Sequence, residues 1–319
     1  MYSSQTRVLH VNKIAGVPET LVAEAQLESL PWALKEIPSG SGKMSTVLKR
    51  RFDDLLNWPR IKAQADIVHV HYATNGYYGW SSKPFVLHVH GSDIRLDWHK
   101  PGLREVITRS LKRADVVLYS TTDLYDHIKM VRPDAIWSPN PLPHEFLELH
   151  QATEPNANVF FSSRWDESKG LDVLIPLAHI LVSRGIRVTG LDWGTHKHLA
   201  RAAGVELYPL MSRSEFARVL ASAGVVVGQL KFPVLSMTDY QTLALNRPLI
   251  CAASIENPPA STVTTGNEVG LARDPNLIAD ETMRLLAEEN PRTTRQWVLE
   301  RHHPQICVKY LEDIYTSIL

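Results

Sequence analysis

Two paired histidines, two cations in one loop and an aspartate behind a Gly-Ser turn are the residues with chemistry to offer. His69-Val70-His71 and His88-Val89-His90 each close a short apolar run. A period of two places both members of a pair on one face of a strand. Four imidazoles would meet if those strands are neighbours, and a His-rich metal-dependent hydrolase is one reading of that cluster. It would need a carboxylate, further ligands on later strands and an eightfold barrel to hold them. Ordinary packed or cleft-lining histidines are the favoured alternative. Asp93 follows Gly91-Ser92 and can serve as base, hydroxyl acceptor or helix cap. Arg164 and Lys169 lie between an apolar run at Val159–Phe161 and an apolar-periodic segment starting at Leu171. Cations at such a strand–loop–helix junction suit a diphosphate, because a helix N-terminus carries unpaired N–H groups and partial positive charge. A solvated loop with idle cations is the alternative. Tyr72, Tyr77, Tyr78 and Trp80 populate a glycine-containing loop between the histidine pairs. Their apolar faces and polar tips suit a sugar or a lipid-linked acceptor.

The elements that must position these residues repeat one plan. Ala65-Asp66-Ile67-Val68, Ala114-Asp115-Val116-Val117 and Ala223-Gly224-Val225-Val226 each lead from a helical pattern into an apolar strand. Near-continuous apolar strands alternating with helices indicate parallel sheets covered on both faces. A first series starts at Arg7–Val11, continues through the Asn12–Gly16 loop into a helix entered at Pro18, and ends near Trp137. Ser138-Pro139-Asn140-Pro141-Leu142-Pro143 interrupts regular structure. A second series starts at Val159, with strands at 188–192, 205–208, 225–228 and 249–252 separated by helices. The expected organisation is α/β: an N-terminal domain over 1–150, a C-terminal domain over 151–300 and a last helical stretch, 301–319, that returns to the first domain. Lys43–Lys62 has helical apolar spacing at Met44, Val47, Leu48, Phe52, Leu55 and Leu56, with Lys49, Arg50 and Arg51 between. A core-facing helix with a solvated basic face is favoured, and peripheral contact with the inner face of an anionic membrane is the alternative.

Composition removes several classes. The 319 residues carry 34 basic and 34 acidic side chains, a balance that gives no support to a nucleic-acid partner. Cys251 and Cys307 are the two cysteines, far apart in sequence, which suits a reducing, cytoplasmic setting and offers no metal cluster. No run is apolar enough for a signal peptide or a membrane span. Ser39-Gly40-Ser41-Gly42-Lys43 fails as a phosphate loop, since Ile37 stands where the first glycine belongs and Met44 where a magnesium-binding hydroxyl belongs. A dinucleotide fingerprint is missing too, because Asn12–Gly16 holds one glycine.

Taken in order, Ala65–His71, His90-Gly91-Ser92-Asp93, Ala114–Ser120, Ser138–Pro141 and Arg164–Asp172 resemble the motif series of GT-B glycosyltransferases, most of all the retaining family 4. Asp192-Trp193-Gly194, Ser212–Phe216 and Asn246–Ile250 extend the resemblance over nearly the whole chain. The resemblance implies two Rossmann-like doubly wound domains with an interdomain cleft. It implies transfer of a sugar from a nucleotide diphosphate sugar, with retention and without an obligatory metal or other cofactor. It assigns His90 and Asp93 to the transferred sugar, Arg164, Lys169 and the Gly16 loop to the diphosphate, and the turn Pro209-Leu210-Met211 to the base. The acceptor, a glycan, a lipid-linked glycan, a small molecule or a protein, would lie toward Tyr72, Tyr77, Tyr78 and Trp80. Members of the family carry two glutamates eight positions apart, one for the donor sugar and one for ribose. The matching places here hold Pro233 and Gln241. Gln241 can still bond ribose hydroxyls, whereas Pro233 offers no carboxylate. A non-catalytic sugar-nucleotide-binding or partner subunit is therefore the second reading.

Overall fold

The computed structural model describes residues 6–149, 155–253, 263–265, 273–288 and 294–319. These form two units, one comprising the chain up to Pro143 together with His302–Leu319, the other His144–Arg301.

In the N-terminal unit, β1 (Val8–Val11), β2 (Trp32–Lys35), β3 (Ile67–His71), β4 (Phe85–Val89), β5 (Val116–Tyr119) and β6 (Ile136–Trp137) form a parallel sheet in the order β2-β1-β3-β4-β5-β6. The central strands β1, β3 and β4 are short and buried on both faces, and their sequences are apolar apart from histidines. One face packs through Val8, Ile67, Val86 and Leu118 against α1 (Val17–Leu27) and the distant C-terminal helix, whose Val308, Leu311 and Tyr315 are buried there. The other face uses Leu9, Val68, Val70, Phe85 and Leu87, covered in part by Trp58, Tyr78, Ile107 and Leu111.

The helix α2 (Met44–Lys62) forms, and the expectation that its apolar spacing faces a core fails. Trp58 is its one buried residue. Met44, Leu48, Phe52 and Leu56 remain 62–73% exposed. At 100° per residue its apolar side chains form one broad arc of about 220°, of which only one edge is covered. The edge with Trp58 and Ile61 docks onto the unit. Asp54 fixes the contact by accepting from Lys35 Nζ at 2.5 Å and from the Tyr78 hydroxyl.

The short helices α3 (Ser92–Arg95) and α5 (Leu124–Ile128) and the longer α4 (Leu103–Arg113) complete the N-terminal unit. In the C-terminal unit, α6 (Glu145–Glu148) precedes β7 (Asn158–Phe161), α7 (Leu171–Ser183), β8 (Arg187–Leu191), α8 (Lys197–Ala202), β9 (Glu206–Tyr208), α9 (Arg213–Ser222), β10 (Val225–Val227), α10 (Met237–Ala244), β11 (Leu249–Cys251) and β12 (Val263–Thr265). The parallel order is β12-β11-β10-β7-β8-β9. Helices α11 (Pro275–Ala287), α12 (Thr294–His302) and α13 (Pro304–Ser317) follow, α13 being the C-terminal helix that packs on α1. Capping boxes start α9 at Ser212 with Glu215 and α10 at Ser236 with Asp239.

Both sheets reverse direction beside their first strand. The chain runs outward from β7 to β8 and β9, then returns to the opposite side of β7 with β10. In the N-terminal sheet, β2 and β3 lie on opposite sides of β1. In open parallel sheets the crevice beyond the carboxyl ends at such a reversal is where ligands bind. Among the described residues no helix is long and apolar enough to cross a membrane.

Candidate active site

The C-terminal unit places the two cations at its reversal. Arg164 and Lys169 lie in the loop between β7 and α7, beside β10. Trp165 explains why the loop holds its shape. Its ring is fully buried, stacks on Phe161 at 5.4 Å, and donates from Nε1 to the Leu191 carbonyl at 3.0 Å. Asp166 ties the loop to the next one by accepting from Thr195 N at 2.8 Å and its hydroxyl at 2.7 Å. With its neighbours pinned below, Arg164 stays on the surface, 39% exposed, over the Trp193 ring at 5.3 Å and 3.4 Å from Asp166. Gly170 caps α7 with φ of 88°. A Cβ there would come within 2.8 Å of the Leu230 backbone, so the loops after β7 and β10 meet at a point where only glycine fits. Leu230 N donates to the Lys169 carbonyl at 2.9 Å across the same junction.

The loop after β10 contains residues that sequence reasoning missed. Gln229, 2% exposed, folds the loop around its amide. Nε2 donates to the carbonyls of Phe232 (2.5 Å) and Val234 (2.8 Å), and Oε1 accepts from the N–H groups of Lys231 (2.9 Å) and Phe232 (2.7 Å). Pro233 sits exposed within that stapled turn. Asp239 is fully buried, and a Cβ at Gly228 would collide with its carboxylate. It accepts from Ser236 N at 2.6 Å, which makes it the partner of the α10 cap. Burial lifts its pKa to about 6, against the pull of Ser236 and Lys169. Gln241, 9% exposed, lies one turn along α10. Pro209 and Leu210 are exposed and Met211 half-buried, after the edge strand β9 and two strands from β7. A Ser-x-x-Asp spacing at 236–239 was the available signal for Asp239; nothing in sequence marks Gln229.

In the N-terminal unit the paired histidines do converge, and a fifth joins them. The register sets His10 opposite His69 and His71 opposite His88. His10, His69, His71 and His88 are buried, and His90 is half-buried. His10 Nδ1 and His71 Nε2 lie 2.9 Å apart, and His71 Nδ1 and His90 Nε2 3.0 Å apart. His69 Nδ1 meets the Tyr315 hydroxyl at 2.5 Å. Each neutral imidazole has one N–H and one lone pair, so His10–His71–His90 is a directional file of hydrogen bonds. Burial holds His10 and His88 down to about 3, and His69, His71 and His90 well below the ordinary imidazole value, with neighbouring imidazoles reinforcing the effect on all but His88.

Two trios, His10-His69-His71 and His71-His88-His90, have nitrogens close enough to suggest an ion. The geometry favours hydrogen bonds instead. Two imidazole nitrogens on a tetrahedral zinc at about 2.0–2.1 Å stand roughly 3.3 Å apart, wider than the observed separations. His69 and His71 are stacked, with ring planes within 15°, so both lone pairs cannot aim at one ion. The cluster also lacks the carboxylate that a hydrolase reading requires.

Asp93, expected at the transferred sugar, anchors a loop. It is fully buried, and its oxygens accept from the backbone N–H groups of Ala73 (2.9 Å), His90 (3.2 Å), Gly91 (2.8 Å) and Ile94 (3.1 Å). Burial raises its pKa while those four donors favour the charged form. Its work is to join the loops after β3 and β4 and hold His90. Tyr78 is fully buried and donates from its hydroxyl to Asp54. Trp80 packs on α4, donating to Ser110 Oγ at 3.0 Å beneath Arg109. Tyr72 binds Ser92 and Asp97 through its hydroxyl, and Tyr77 stays half-buried. Gly16 is buried at the N-cap of α1, after Asn12, whose side chain donates to the His71 carbonyl at 3.1 Å.

Two doubly wound sheets with these loop assignments can be compared with known proteins. The family model described as "Glycosyl transferase 4-like" matches residues 60–122, which span β3, β4 and β5. Sucrose-phosphate synthase from Thermosynechococcus elongatus superposes with a TM-score of 0.68 at 13% identity, covering 98% of each chain. The chain has the GT-B fold. Anabaena Alr3699/HepE, solved with UDP and glucose, gives 0.67 at 13% identity, covering 98% of this chain and all of that one. The catalytic domain of starch synthase IV from Arabidopsis thaliana, bound to ADP and acarbose, gives 0.64 at 10% identity over 99% of both. No curated protein sequence matches the chain. Fold and family segment are those of glycosyltransferases, with β3, His71, His90 and Asp93 all inside the matched segment.

Proposed function

We propose that the protein transfers a glycosyl group from a nucleoside diphosphate sugar to an acceptor hydroxyl without requiring a metal. The observation carrying this reading is the placement of Arg164, Lys169 and the α7 N-terminus together at the strand-order reversal of the C-terminal sheet. Charge builds on the diphosphate as the glycosidic bond to it breaks, and prearranged cations and N–H groups stabilise that charge most where it is greatest. No carboxylate pair is needed to bring in a divalent ion. The His10–His71 file and the Asp93 loop orient His90, whose Nδ1 stands outside the file, toward a hydroxyl of the transferred sugar. Retention at the anomeric carbon belongs to the same reading, with the acceptor attacking on the face the diphosphate leaves. The relatives solved with UDP and ADP make uridine and adenosine the first donor bases to examine.

The test is a panel of nucleotide sugars with EDTA present, read as released nucleoside diphosphate. Turnover that persists in EDTA and falls about 10²–10³-fold in Lys169→Ala is the expected result. A variant as active as the wild type removes the diphosphate assignment. Pro233 supports one rival, a subunit that binds sugar nucleotides without transferring them, because a proline in that stapled turn supplies no carboxylate to the donor sugar. Saturable binding without release on any acceptor is its signature.

A further inference from the structure

Helix α2 presents a surface that no part of the catalytic reading uses. Met44, Leu48, Phe52 and Leu56 are 73%, 62%, 62% and 64% exposed, and Leu55 is 41% exposed. At 100° per residue these five span an arc of about 120° along four turns. The docked side, carrying Trp58 and Ile61, lies on another part of the helix circumference. A continuous stripe of large apolar side chains in water is unusual for a soluble surface and marks a place of contact.

The charges beside the stripe identify the occupant. Lys49 and Arg60 project next to its Leu56 edge by the same helical count, and both are exposed. Arg50 is exposed on the helix, and Lys43 precedes its first turn. Of the two acidic residues in the helix, Asp54 is turned inward to Lys35 and Tyr78. The outward charge is therefore mostly basic, which fits a negatively charged surface that also offers a hydrocarbon layer. We propose that α2 lies in the plane of an anionic lipid bilayer, with Leu48, Phe52 and Leu56 inserted at the headgroup–acyl boundary and Lys49 and Arg60 against lipid phosphates. An apolar arc with a cationic flank on a helix far too polar to span is the arrangement that binds such an interface. A second copy of the chain would cover the apolar arc but would bring the same cations face to face.

Co-sedimentation of the full chain with vesicles tests this. One set is phosphatidylcholine alone; the other has about a third of its lipid replaced by phosphatidylglycerol. Binding to the anionic set, weakened at high salt, is the expected result, with at least a tenfold loss in Leu48→Ser/Phe52→Ser. Lys49→Glu should reduce anionic binding while leaving the fold intact. These side chains are exposed, so thermal unfolding of the variants should match the wild type. Equal binding by wild type and Leu48→Ser/Phe52→Ser overturns the proposal. So does absence of vesicle binding, whether the chain is monomeric or forms a dimer that the double variant dissolves. No donor or acceptor enters the assay, so its outcome is independent of the proposed transferase activity.

Discussion

At the level of single residues, some side chains with chemical character stay at the surface and others hold a loop. Asp93 reads in sequence as base, hydroxyl acceptor or helix cap, and in the structure it anchors four N–H donors. Sequence could not separate the roles, because the decisive partner, Ala73 N, arrives from a neighbouring strand. Asp93→Asn sets an amide N–H₂ against backbone donors and should destabilise the protein by about 1–3 kcal/mol, measured by urea unfolding. An unchanged midpoint with abolished turnover would restore the catalytic assignment. Gly170→Ala should cost a similar amount, since it forces a side chain into φ of 88° and into the Leu230 backbone. A loss below about 0.5 kcal/mol would mean that the two loops separate readily. Arg164 and Lys169 were legible because strand, cation loop and helix are contiguous in the chain. Gln229 was not, since its meaning depends on a loop folded back on itself.

At the level of elements, β1, β3 and β4 assemble the imidazole file. The two His-x-His pairs announced that one strand face is polar. His10 was hidden because only the sheet order, which seats β1 beside β3, brings it into register with His69. The file makes the N-terminal unit acid-sensitive. An imidazole near 6.5 in the unfolded chain and near 3 when folded binds its proton only on unfolding between those values. Stability from neutrality is therefore whole above pH 6.5 and is lost as pH falls toward 3, at up to about 1.4 kcal/mol per pH unit for each buried histidine. Around the file the facing groups are Trp32, the Tyr315 hydroxyl and, at its His90 end, the buried Asp93, whose oxygens are taken up by backbone N–H groups and not by an imidazole. Thermal unfolding followed from pH 7.5 to 5 should show a steep fall in midpoint, made shallower by His10→Phe/His88→Phe. A flat profile would mean that these histidines already share protons or sit open to water. The α2 expectation failed at this same level, because periodicity locates an apolar arc and cannot say how much of it is covered.

At the scale of the whole chain, two alternating series and the proline-rich stretch at 138–143 made the paired doubly wound architecture readable. Strand order was beyond reach, and with it the position of each reversal. The return of α13 to the sheet that begins the chain is a long-range packing event that buries Cys307, Val308, Leu311 and Tyr315. Ending the chain at Arg301 should strip that cover, and hydrogen exchange of β1 and β3 should then rise by orders of magnitude. Protection that survives the truncation would show that α13 only decorates the unit.

The claim on which the functional reading turns is that the β7–α7 loop receives a diphosphate. Calorimetric titration of UDP and ADP into wild type and Lys169→Ala, with EDTA present, addresses it most directly. At least one nucleotide should bind the wild type without metal, and the variant should bind it at least tenfold more weakly, about 1.4 kcal/mol. Equal affinity for the two proteins, or binding that appears only when a divalent metal is added, would contradict it.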